Sequence, residues 1–367
     1  VTIPSLGAKS LRLKRTLHKK KRAEASESIR FPKKPNTGCE LFLYHVSILM
    51  FHADKQIDVP LKASPSLTFN NLTSNGSSFA YAHLSEVWLL NESSMDASPP
   101  APSHTKVAYK DPAHVLHVRF VKTRNSEFLV LGTETGVQIF DSHGQRLIFN
   151  HSLQTASDKP RYARGSATGT AGSKDYIAVG TSVNDVLVFS VDKENFSLAH
   201  TLKGHKYPLV DLAGQSPVGE LIASADEEGT IHVWKLSDFS KHSTYLGSSY
   251  PCTSIVFAGS SIVASYITGQ IVIYDLNQRR KFAQIGAHSR AINALAVHPS
   301  QALVASAGED QFVNVWSISV DPPEIKLAFS VRCPNWLLTG IQFAGQSRPC
   351  LSTIAYDAES LRAWPVQ

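Results

Sequence analysis

Residues 286–316, GAHSRAINALAVHPSQALVASAGEDQFVNVW, constrain what this chain can fold into more than any other stretch. Apolar residues recur at strand spacing through 291–297, an apolar run follows at 302–305, and Phe312-Val313-Asn314-Val315-Trp316 comes after the Gly308-Glu309-Asp310 turn. A period of two is the strand period, because successive side chains of an extended chain point to opposite faces. The stretch therefore reads as three short strands and two turns. Four side chains stand out in it: His288, Ser306, Asp310 and Trp316. A second stretch, residues 204–234, carries His205, Ser224, Glu228 and Trp234 in the matching positions, with 83 residues from one His to the other. One His or one Asp on a strand pattern is ordinarily incidental; four at a repeated spacing reverse that judgement.

The two stretches resemble WD40 repeats, each one four-stranded blade of a β-propeller, and 83 residues is about two repeats. Ala287-His288 stands for the family's Gly-His, and Trp316-Ser317 for its Trp-Asp. In that family the His, Ser, Asp and Trp form a hydrogen-bonded chain, so the resemblance gives all eight residues a structural role, fixing strand register. Glu228 at the acid position departs from the family pattern. Weaker copies of the pattern fill the rest of the chain. Blade one draws on 79–83, 86–90 and 105–109, blade two runs from about 115 to 151, and blade three from about 161 to 202. Blade five has Tyr274-Asp275 for Trp-Asp, with Ala264 and Thr268 for Ser and Asp, so it lacks the tetrad. Blade seven, 338–364, is one strand short. The partnerless run around 56–63 can supply it, and a ring closed by strands from both termini has no open edge. The expectation is all-β: a seven-bladed WD40 propeller over residues 50–367, with eight blades as the alternative.

Charge is uneven along the chain. Residues 1–49 hold 11 Lys+Arg against 3 Asp+Glu, whereas the whole chain is at +6, so residues 50–367 are slightly acidic. The basic segment includes His18-Lys19-Lys20-Lys21-Arg22 and reads as a solvated tail, with nuclear import or anionic-surface tethering as sharper readings. The first Met is Met50, so residues 1–49 are expected to lie upstream of the natural start. Residues 91–105, rich in Pro and Ser, read as a mobile loop. The four cysteines form no C-x-x-C, which fits a reduced, cytosolic chain. No apolar run reaches the 18 residues of a membrane span.

Catalytic signatures are missing from the sequence. It contains no G-x-x-x-x-G-K-[ST], no G-x-S-x-G and no H-E-x-x-H, and its 15 histidines show no metal-ligand spacing. No catalytic residue, metal or cofactor is assigned. Asn277-Gln278-Arg279-Arg280-Lys281 does not match the phosphoinositide signature of some propellers. In the family, the residue before the tetrad acid lies on the narrow top face around the channel. Glu227, Glu309 and Asp357 are assigned there, with Thr133 and Ile267 in blades two and five. Lys206, Tyr207, Arg290 and Asn293 are expected on the same face. A partly acidic rim attracts basic segments, chiefly through encounter rate. The order of blades also resembles one stand-alone animal member of the family. That implies a cytoplasmic interaction protein, partly associated with vesicles or the plasma membrane and able to self-associate. The expected function is a non-catalytic scaffold for other proteins; the alternative is a peripheral membrane module. Nucleic-acid binding through the basic tail is the weakest class.

Overall fold

The structure, a computed structural model, describes residue 51 and residues 53–95, 102–155, 161–215, 219–247, 249–320, 323–344 and 349–365. The basic segment 1–49, and with it the question of the natural start, lies outside the described residues. So do residues 96–101 of the 91–105 insertion. The described ends of that insertion are regular: a 3-10 turn at Glu92–Met95 and a strand at His104–Lys106, with the Asn91 N–H bonded to the Ser103 carbonyl.

Among the described residues, 28 strands form seven antiparallel four-stranded sheets. The seven-bladed reading stands, and the eight-bladed alternative falls. Six sheets each take four consecutive strands. The seventh orders its strands as Ile57–Pro60, Ser360–Pro365, Cys350–Ala355 and Leu338–Ala344. Val59 pairs with Leu361 and is fully buried. One strand escaped the sequence: Thr73–Ser74, the innermost of blade one. It has two polar residues, and Asn75 and Gly76 turn the chain directly after it, so no alternation exists to be read.

Burial explains the patterning. Second strands such as Ser261–Tyr266 are buried at every position, whereas the outermost strand Leu147–Ser152 has no buried residue. Inner strands are covered on both sheet faces by neighbouring blades and so read as continuous apolar runs. The core accordingly divides into seven apolar clusters, one at each blade–blade junction. The cluster of Val59, Leu361, Ile354, Phe79 and Leu90 joins blade seven to blade one, so packing as well as pairing closes the ring.

The topology also sorts the turns. With four alternating strands per blade, the turns between second and third strands and the connections between blades emerge at one end of the ring. This is the family's top face. First–second and third–fourth turns emerge at the opposite end. Gly229, at φ 79°, and Asn184, at φ 69°, sit in two top-face turns that need the left-handed conformation glycine and asparagine tolerate.

Candidate partner-binding face

The tetrad of blade six forms as expected. His288 Nδ1 lies 2.8 Å from Asp310 Oδ1 and its Nε2 lies 2.8 Å from Ser306 Oγ, which accepts the Trp316 indole N–H at 3.0 Å. Burial pushes the His288 imidazole below its ordinary pKa against the pull of Asp310. For Asp310, burial acts upward, but the bonds from His288 and the Ser289 N–H outweigh it and hold the carboxyl below its usual value.

Blade four corrects one assignment. His205 Nε2 meets Ser224 Oγ at 2.7 Å and Trp234 donates to the same oxygen at 2.8 Å. The carboxylate on His205 Nδ1, however, belongs to Asp226, at 2.8 Å, and not to Glu228. Asp226 pairs with Leu209 as Gly308 pairs with Ile292 in blade six. A Cβ on Gly308 would stand 2.4 Å from His288 Nδ1, so a short acid at that strand position reaches the imidazole directly. Asp226 Oδ1 also accepts the N–H groups of Glu228 and Thr230, the turn-capping part that Asp310 plays for Phe312. Glu228 is left half-exposed in the turn. Blade five has no tetrad; the phenols of Tyr266 and Tyr274 meet there at 3.0 Å.

A repeated backbone bond fixes the top-face rim. In six blades one turn residue donates its N–H to the residue just before the innermost strand. The donors are Glu134, Ser182, Glu227, Ile267, Glu309 and Tyr356, at 2.8–3.1 Å. By this register the rim residue of blade two is Glu134 and not Thr133, whose buried hydroxyl instead bonds within the turn. In blade seven it is Tyr356, and Asp357 stands one position further along, exposed, at φ 55°. The acidic rim positions are therefore Glu134, Glu227 and Glu309, in blades two, four and six. Ile267 and Tyr356 between and beside them are 47% and 50% exposed. Lys206, Tyr207 and Arg290 are exposed at this end, as expected. Asn293 is not: it is the extra residue of a β-bulge between Ile292 and Ala294, is 1% exposed, and donates to the Leu338 carbonyl of the next blade at 2.8 Å. Such a bulge leaves no mark in the apolar pattern.

The channel holds a polar cluster that the sequence did not reveal. Asp211, on the innermost strand of blade four, is 1% exposed and accepts five hydrogen bonds. These come from Arg119 Nη2, Asn70 Nδ2, Ser254 Oγ and the N–H groups of Leu212 and Ile255. Arg119 also donates to the carbonyls of Ser166 and Leu212, and Asn70 bonds Asn293 and Leu295. Six blades, or the connections into them, are thus joined around one carboxylate. Towards the opposite end lies a cavity of about 320 Å³ lined from all seven blades.

A family model, WDR54, matches residues 74–365. The chain belongs to the WDR54 family. Human WD repeat-containing protein 54 is 31% identical over 246 residues, covering 64% of this chain and 73% of that one. Its Mus musculus counterpart is 29% identical over 335 residues, covering 85% and 99%. Solved structures share the fold alone. A chain of a mitotic checkpoint complex superposes with a TM-score of 0.69 at 18% identity, covering 86% of this chain and 95% of that one. The WD40 repeats of RRP9 give 0.68 at 13% identity, covering 87% and 100%. WD40 propellers generally act by binding other proteins. In this member of the WDR54 family no group of three or more His, Cys, Asp or Glu side chains among the described residues is placed to hold a metal ion. No helix among them is long and apolar enough to cross a membrane.

Proposed function

We propose that the chain is a non-catalytic scaffold that holds partner proteins on the top face of its ring. One observation carries the reading. Of the twelve exposed large apolar side chains among the described residues, nine lie in or beside the top-face turns and connections. The other three, Leu147, Leu198 and Leu327, are scattered on outermost strands. Apolar side chains concentrated at one end of a molecule mark an interaction surface, whereas scattered ones need no explanation. A rigid ring offers that surface without an ordering cost. The acidic rim positions then act on partner choice and encounter rate. The test is affinity capture with the full chain beside its Glu227→Lys/Glu309→Lys variant, both checked for an unchanged melting temperature. Specific partners lost from the variant support the top-face scaffold. Partners retained in full place binding elsewhere on the ring and refute it.

A further inference from the structure

The reading of a top-face scaffold leaves the chemistry of the partner open, and the junctions of blades four, five and six narrow it. Their top-face turns pack in series on the connections between the blades. Glu227 begins the turn of blade four, and Gly229 in that turn packs on the connection into blade five, since a Cβ there would stand 2.7 Å from the Tyr250 carbonyl. Ile267 bonds the Pro251 carbonyl of that same connection at 3.1 Å. Gly269, two residues on, lies against the connection into blade six, where a Cβ would stand 2.6 Å from the Arg290 carbonyl. Glu309 bonds Ala291, the next residue of that connection, at 2.8 Å.

The side chains along this arc therefore run in a fixed order: half-exposed acid, exposed apolar, half-exposed acid. The apolar middle is substantial. Leu246 is 81% exposed, Tyr250 51% and Ile267 47%. Each acid is separated from the other by a whole blade. A single apolar anchor in the middle of a ligand would lie between two carboxylates. Two exposed cations of the connections border the arc, Lys206 near the Glu227 turn and Arg290 near the Glu309 turn.

Resting on the scaffold reading, we propose that this arc binds an extended protein segment in which one large apolar side chain is flanked on both sides by basic residues. The apolar side chain covers Leu246, Tyr250 and Ile267, and the flanking cations face Glu227 and Glu309. Burial of the anchor supplies affinity, and the two carboxylates select against uncharged and acidic flanks.

The probe is a set of fluorescein-labelled synthetic peptides with a central Phe or Leu flanked by Lys/Arg, by Ser, or by Glu, and the same basic peptides with Ser at the centre. They are titrated by anisotropy into the full chain. The expected result is tightest binding by the basic–apolar–basic set. Either replacing the central residue or neutralising both flanks should weaken binding at least about tenfold. Ile267→Ser/Tyr250→Ser should lose the preference for an apolar centre while keeping the preference for basic flanks. Glu227→Lys/Glu309→Lys should do the converse. If the double charge reversal unfolds the ring, Glu227→Gln/Glu309→Gln reads the same loss at smaller size. Binding that ignores the flanks, that ignores the centre, or that is undetectable for the basic–apolar–basic set overturns the proposal. Captured partners that are lost from the rim variant yet whose binding segments lack this pattern also overturn it while leaving the top-face scaffold standing.

Discussion

Replacing Asp211 by Ala tests whether the channel cluster holds the ring together. Asp211 accepts five hydrogen bonds from residues of four blades or the connections into them, and its partner Arg119 has a side chain 24% exposed. The substitution leaves the guanidinium without its counter-charge and orphans the N–H groups of Leu212 and Ile255. Removing one member of a buried pair costs about 3–5 kcal/mol, because the remaining charge stays desolvated. Each orphaned buried N–H adds about 1 kcal/mol or more. The adjoining cavity of about 320 Å³ lets water reach part of the vacated site and returns some of this. A net loss of about 4 kcal/mol is expected. For a domain of this size that lowers Tm by about 6 °C. Urea unfolding followed by tryptophan fluorescence reads it. Asp211→Asn keeps the shape and some acceptors, so it should lose roughly half as much. Arg119→Met/Asp211→Ala should lose less than the sum of its single changes, because the orphaned charge is gone. An Asp211→Ala ring within about 1 kcal/mol of the unaltered protein, or strictly additive single changes, would refute the argument.

Further outcomes follow from the same geometry. Asp226→Ala should cost about 2 kcal/mol in urea unfolding by stripping His205 of its partner, whereas Glu228→Gln should change stability by less than about 0.5 kcal/mol; the reverse order contradicts the assignment. Val59→Asp places a carboxylate in the junction of blades seven and one and should destabilise the ring by at least about 3 kcal/mol; a near-neutral effect would mean that the strand Ile57–Pro60 does not close the ring. Acid should destabilise the protein well before its carboxylates titrate. His117, His232 and His288 are all held below the ordinary histidine pKa, first by burial, with His232 near 4. The unfolded chain protonates them near pH 6.5, so it binds more protons than the folded ring from about pH 6.5 down towards 4. Stability is then complete above pH 6.5 and falls as pH drops through that window. A urea midpoint unchanged between pH 7.5 and 5 would contradict this.

What the sequence made legible followed from how local each feature is. The period-two runs with their turns were enough for seven blades, since most inner strands are largely buried on both faces and say so in their composition. The tetrad of blade six was legible because each member stands at the family spacing. In blade four the same counting chose Glu228, although the acid had moved two residues back onto the strand; position along the chain does not show that Asp226 and His205 converge. Tyr356 and Glu134 were displaced by one position for a similar reason, since turn length differs between blades and only the repeated N–H bond restores the register. Asn293 fell on a bulge, and Thr73–Ser74 is too short and polar to carry a period. The cluster around Asp211 joins residues as far apart as Asn70 and Leu295, a long-range arrangement that no local pattern encodes.

The top-face claim is tested most directly by lysine cross-linking of the full chain to its captured partners, read by mass spectrometry. Lys206 lies at the top face, while Lys122 and Lys174 lie at the opposite end of the ring. The account predicts partner cross-links at Lys206 that disappear in Glu227→Lys/Glu309→Lys. Cross-links concentrated at Lys122 and Lys174, and unaffected by that variant, would contradict it.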